Sequence, residues 1–186
     1  MGELLQGIRE RRSVRKYRED PVPDHVLETV LEAVRWSPSW ANTQCWEIVV
    51  VRDPVVKQSL QESLPPKGNP AFKAIVAAPL VLAICGRKKA SGYYKGEVTT
   101  RFGDWLLFDL GIATQNLCLA AHDQGLGTVI VGLFDHARAE KALGVPEAFE
   151  LVALVPMGYP AKISQAPKRR HQKEFVHRDQ FFAGQD

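Results

Sequence analysis

Two short runs in the first quarter of this chain concentrate groups that bind anions and polar edges. The first, Arg11-Arg12-Ser13-Val14-Arg15, places three guanidinium groups and a hydroxyl within five residues. A phosphate monoester is dianionic near neutral pH and offers several acceptor oxygens. Guanidinium meets it with paired hydrogen bonds and does not deprotonate. In an extended backbone, side chains alternate, so Arg11, Ser13 and Arg15 would share one side. The second run is Ser37-Pro38-Ser39-Trp40-Ala41-Asn42-Thr43-Gln44-Cys45-Trp46. Its small polar residues at a helix end leave backbone groups free for the edge of a heterocycle. Together the runs suggest a site for a phosphorylated, planar, polar ligand. Each also has a plainer reading: a solvated basic stretch after a helix, and an ordinary turn, which Ser, Pro and Asn favour.

Other reactive residue types offer less. His25, His122, His136, His171 and His177 are scattered, with no metal-ligand spacing. Cys45, Cys85 and Cys118 are odd in number and widely spaced, and the last two lie in apolar segments. No disulfide framework or zinc site is expected, and a reducing, cytoplasmic setting fits best.

The elements that must carry these runs are read from periodicity. Leu4, Leu5 and Ile8 have helical spacing and lead into the arginines. Val26, Leu27, Val30, Leu31 and Val34 predict an amphipathic helix over 24–36, ended by Ser37-Pro38. A strand is expected at 47–51, a helix starting at Asp53-Pro54, a loop over 65–70, and a buried strand over 79–85. The polar 86–103 stretch reads as a mobile loop or short helix. The 105–122 segment is apolar on nearly every side, so it predicts a central, buried helix with two partners: its own sheet and something else. Gly125-Leu126-Gly127 caps it. A third strand is expected over 128–134, a short helix over 138–143 and a fourth strand over 151–157. From Tyr159 onward the chain is basic and weakly periodic.

The chain has 186 residues, enough for one domain with a real core, so residues 1–186 read as a single domain. Hydrophobic content of 45%, charged content of 24% and a net charge of +3 are ordinary for a soluble globular protein. The charge balance argues against extended nucleic-acid binding. No apolar run is long enough for a bilayer span. The N-terminal residues lack a signal-peptide pattern, and Gln6 stands where a myristoylation motif wants Ser or Thr.

The two runs, at this separation, resemble the signatures of the flavin-dependent nitroreductase family, an R-x-S-x-R/K stretch followed by P-S-x-x-N-x-Q-P-W. Cys45 replaces the family's usual proline. Asp109-Leu-Gly111-Ile-Ala-Thr-Gln115-Asn116-Leu117, then Gly125-Leu-Gly127-Thr128, look like the family's dimer helix and the turn after it. Arg169-Arg170, with Glu174-Phe-Val-His177, resembles its C-terminal basic segment. The resemblance runs from about Ile8 to His177. It implies an α+β fold: a mainly antiparallel central sheet flanked by helices, with the long central helix at a homodimer interface. The segment from about 160 would reach toward the partner subunit.

The resemblance further implies FMN as cofactor and NADH or NADPH as electron donor. Arg11 and Ser13, with Arg12 in the same cluster, and Arg169 or Arg170 from the far end, would hold the FMN phosphate and ribityl chain; Lys168 is the substitute one residue away. Arg15 would lie toward the flavin N1–C2=O edge. Pro38, Ser39 and Asn42 would contact the flavin from the other subunit. Asn69 and Lys73 would touch the ribityl and pyrimidine side. Val131, Gly132 and Leu133 would bring backbone amides beside N5 and O4. Flavin N5 carries the hydride, so no protein nucleophile or general base is expected, and Arg15 and Lys73 would act as electrostatic tuners. The implied activity is ping-pong reduction of nitroaromatics, quinones or similar small acceptors, with Trp40, Tyr93, Tyr94 and Phe102 as pocket walls or as core and interface residues. A non-catalytic flavin binder or sensor and a reductive dehalogenase of a sister family are the alternatives. Neither nucleic acid nor membrane is an expected partner.

Overall fold

A computed structural model describes residues 2–181. Helix α1 (Glu3–Glu10) leads into an extended segment, then α2 (Asp24–Arg35), strand β1 (Trp46–Val51), α3 (Pro54–Gln61), α4 (Phe72–Ala77) and β2 (Leu80–Arg87). A small hairpin, β3 (Tyr93–Tyr94) and β4 (Glu97–Val98), precedes the long α5 (Leu106–Asp123). Then come β5 (Gly127–Thr128), α6 (His136–Leu143) and β6 (Phe149–Gly158). The main sheet has the order β1-β2-β6-β5, and every pairing within it is antiparallel, as expected of an α+β fold.

Helices cover both faces of the sheet, which explains why β2 is an unbroken apolar run and not an alternating one. Leu80, Leu82 and Ile84 point to the α2 and α5 side, where they meet Val30, Val34, Leu110 and Leu117. Val81, Ala83 and Cys85 point to the other side, against Leu60, Ile75, Ala139 and Leu154. Asp53 caps α3 by accepting from the Val55 and Val56 amides, with Pro54 at its first position. Helix α5 ends in a Schellman turn: Gly125 adopts φ +72°, its amide donates to His122, and the Leu126 amide donates to Ala121.

Two expectations change. The strand expected over 128–134 stops at Thr128; beyond it only Val131 rejoins the sheet, exchanging hydrogen bonds with Leu154. Its apolar composition reads like a strand, but Ile130, Gly132 and Leu133 project outward. The 86–103 stretch is neither plain loop nor helix, because Tyr93–Tyr94 pairs with Glu97–Val98 around Lys95 and Gly96, both at positive φ. Helix α5 buries one side only: Leu106, Leu110, Ala113, Leu117 and Ala121 are in the core, while Leu107 and Phe108 are exposed. Helix α4 did not announce itself in the periodicity, being a single short turn and a half after the proline-rich loop.

Candidate functional site

The arginine run lies along the edge of the sheet and is held there by its backbone. The Val14 amide donates to Thr128 (2.8 Å), the Arg18 amide to Tyr159 (2.9 Å) and the Ala161 amide to Lys16 (2.9 Å). Val14 is buried, and a Cβ on Gly127 would lie 2.5 Å from its side chain, so only glycine allows this approach. The Tyr17 hydroxyl reaches the carbonyls of Val14 (2.6 Å) and Pro156 (3.0 Å). Burial there raises the phenol well above its usual pKa.

The arginines of this extended segment face different spaces, and strict alternation does not sort them, since Lys16 lines the cleft of Arg15 while Arg11 and Ser13 do not. Arg12 shares the side of Val14, facing a small hollow with Glu10 and His122, and its guanidinium donates to the carbonyls of Arg9 and Arg11. That removes Arg12 from the cleft that Arg15 lines. Arg15 opens onto a cleft of about 700 Å³ together with Lys16, Tyr17, Asn69, Phe72 and Lys73. Three cations and no carboxylate line it, which favours an anionic ligand. Arg15, Asn69 and Lys73, far apart in sequence, line this one cleft. Arg11 and Ser13, half-buried on the same extended segment, do not line this cleft.

Asn69 plays a part that the residue types did not reveal. Its carbonyl accepts from the Ala71 amide and its amide donates to the Leu133 carbonyl, both at 2.9 Å. It therefore brackets the 65–70 loop onto the 131–133 segment and keeps one N–H for another partner. Of the three amides expected to serve a ligand, that of Val131 is already given to Leu154; Gly132 and Leu133 are exposed.

The second run forms a separate hollow of about 380 Å³, lined by Arg35, Trp36, Ser37, Pro38, Asn42 and Gln44. It has no lining residue in common with the Arg15 cleft. Three of its non-glycine residues hold positive φ: Ala41 (46°), Asn42 (55°) and Gln44 (47°). Such backbone is costly and persists only where its surroundings fix it. The Ser39 hydroxyl accepts from the Gln44 amide (2.9 Å), and Asn42 accepts from the Gln44 side chain (3.3 Å). Thr43 Oγ1 is the one buried side-chain polar atom without a hydrogen-bond partner among the described residues.

Arg169 and Arg170 lie on the exposed tail and line neither hollow. Arg170 instead sits over the Phe175 ring, 5.4 Å from its centroid. Among the described residues no cluster of His, Cys, Asp and Glu could hold a metal, and no helix is long and apolar enough to cross a membrane.

The sequence model of the nitroreductase family matches residues 8–159. The chain belongs to the nitroreductase family. Among relatives of this nitroreductase-family protein, an NADH dehydrogenase from Thermus thermophilus is 32% identical, over 82% of this chain and 84% of its own. The FMN reductase [NAD(P)H] of Bacillus subtilis is 32% identical, over 100% of this chain and 77% of its own. A solved structure described as a nitroreductase in complex with FMN, from Desulfovibrio desulfuricans, superposes with a TM-score of 0.77 at 28% identity, over 97% of this chain and 99% of the other.

Two residues of this nitroreductase-family chain were not marked as functional by the motifs. Asp109 and Ser91 are both buried, and together with Trp40 they tie the second run to α5 and the hairpin. The available signal for Asp109 was a lone acid inside an apolar helical stretch.

Proposed function

We propose that this protein is an FMN-dependent NAD(P)H oxidoreductase acting on nitroaromatics, quinones or similar small acceptors, with its flavin held between two copies of the chain. The observation that carries the reading is the cleft that gathers Arg15, Asn69 and Lys73 with no carboxylate on its walls. Its size lies within the usual range for cofactor clefts, roughly 300–1,000 Å³. The FMN reductase and the FMN-bound structure among the relatives support the cofactor and donor.

The residues present fit that cofactor. Arg11 and Ser13 would take the phosphate and ribityl chain by charge-assisted hydrogen bonds. Arg15 and Lys73 would place fixed positive charge by the pyrimidine edge, where charge accumulates on reduction. Asn69 would offer its remaining N–H. The turn carrying Pro38, Ser39 and Asn42 would come from the partner, which accounts for its separate hollow. The tail with Lys168, Arg169 and Arg170 would reach the partner in the same way. Bound there, FMN supplies two-electron hydride chemistry, taken from NADH or NADPH and given to the acceptor.

The test is a visible spectrum of the purified protein after FMN addition and desalting, followed by anaerobic NADPH or NADH. Retained flavin bands that bleach support the reading. Retained bands that neither donor bleaches assign the chain to non-catalytic flavin binding. Loss of all flavin overturns both.

A further inference from the structure

Asp109 lies in the first turn of α5 and is 1% exposed. The donors that reach it are neutral and come from two separate segments, the turn from Trp40 to Cys45 and the base of the hairpin. The Trp40 amide donates to the carboxyl at 3.1 Å from both oxygens. The Ser91 hydroxyl donates to Oδ2 at 2.5 Å, and the Cys45 thiol lies 3.8 Å from the same oxygen. Burial, helped by the charge of Asp109, pushes the Cys45 thiol up to about 11, so it keeps its proton for that contact at neutral pH.

Each donor sits where its segment needs an anchor. Trp40 opens the turn whose next residues include Ala41, Asn42 and Gln44 at positive φ. Cys45 closes that turn and leads into β1. Ser91 is the base of the β3–β4 hairpin, and its carbonyl also accepts from the Trp105 amide at 3.0 Å. A Cβ on neighbouring Gly92 would lie 2.5 Å from the Gly103 carbonyl oxygen, so the hairpin base is closely packed on both sides. A buried acceptor with several donors makes a rigid junction, because releasing any donor leaves it unpaired out of water.

We infer that Asp109 is a positioning residue. It clamps the Pro38–Gln44 turn in its left-handed geometry and ties the 93–98 hairpin to the same point, so that one carboxylate sets both segments. The inference rests on the flavin reading above for its link to FMN, but the clamp itself does not.

The experiment therefore has two readouts on the full chain, with Asp109→Asn, Asp109→Leu and Ser91→Ala. The first is hydrogen exchange without FMN. Residues 38–46 should exchange faster in both Asp109 variants, and residues 91–98 should exchange faster in Ser91→Ala with 38–46 still protected. The second is FMN affinity by fluorescence quenching, with the visible circular dichroism of the bound flavin. Asp109→Leu should weaken FMN about tenfold or more, the order expected for removing a buried acceptor. Asn, which keeps one acceptor oxygen for Trp40, should restore part of that loss. If Asp109→Leu does not fold, Asp109→Asn carries the test alone. Unchanged exchange of 38–46 in Asp109→Asn overturns the clamp, whatever the flavin does. Faster exchange with unchanged FMN affinity and dichroism overturns the positioning role. Absence of FMN binding by the wild-type chain counts against the flavin reading, and the exchange data still decide the clamp.

Discussion

At the scale of single residues, charge and burial set what each group can do. Arg15 faces an open, positively charged cleft, whereas Arg12, one of the same run, faces a different hollow and gives its guanidinium to the Arg9 and Arg11 carbonyls. Replacing Arg11 and Arg15 together with Ala should weaken FMN about a hundredfold or more, since each charge-assisted hydrogen bond is worth about 1.5–3 kcal/mol. Fluorescence titration checks it, and a double variant that retains flavin through desalting would sink the phosphate assignment. Arg12→Ala should leave the affinity within about threefold of wild type, because only fixed charge at a distance is lost. The buried thiols give a pH dependence. Burial pushes Cys45 and Cys85 each up to about 11, and Cys118 upward as well. A thiol whose folded pKa exceeds its unfolded value of about 8.5 stabilises the fold fully below that value and loses this as pH rises through the folded pKa. Urea stability should therefore fall between about pH 9 and pH 11, and less steeply in Cys45→Ala; a flat profile would contradict the assigned burial.

At the scale of elements, the arginine run is useful because a neighbouring turn holds it. Gly127 accepts Val14 at a distance that admits no Cβ, and Val14 sits between Ser13 and Arg15. Gly127→Ala should cost about 1–3 kcal/mol of stability by overpacking, measured by urea unfolding. It should also weaken FMN, since the extended segment that presents Ser13 and Arg15 must shift. Val14→Ala added to Gly127→Ala should restore part of both losses. If the single variant is as stable and as tight as wild type, the contact does not set the site.

At the scale of the whole molecule, one chain leaves unfinished business on its surface. Leu4, Leu5 and Ile8 of α1 and Leu107 and Phe108 of α5 are exposed, and the two hollows carrying the conspicuous motifs do not meet. On the proposed shared-site reading, a second copy would cover the first and complete the second. Leu107→Glu with Phe108→Glu should give a folded monomer by sedimentation velocity at micromolar concentration. Fold stability should change by only about 0.5 kcal/mol, as for other exposed positions, while FMN binding is lost. A variant pair that stays dimeric, or a monomer that keeps FMN, would place the shared-site arrangement elsewhere.

The sequence alone determined the helices α2, α3, α5 and α6 and the strands β1, β2 and β6, because their periodicity and caps are local signals: Val26 to Val34 at helical spacing, Asp53-Pro54, the glycine after α5. It also marked Arg11, Ser13, Arg15, Pro38, Ser39 and Asn42 as groups suited to a phosphorylated heterocycle. The tertiary structure decided which of them face a common space. Lys73 joins Arg15 only because the chain brings α4 beside the arginine segment, Asn69 becomes a bracket because Leu133 lies within its reach, and Arg12 faces a different hollow, with Glu10 and His122. The 128–134 run failed to form a strand for the same reason that Asp109 went unmarked. A hydrogen-bond partner is a property of neighbours in space, and a run of residue types names only what could pair, not what does.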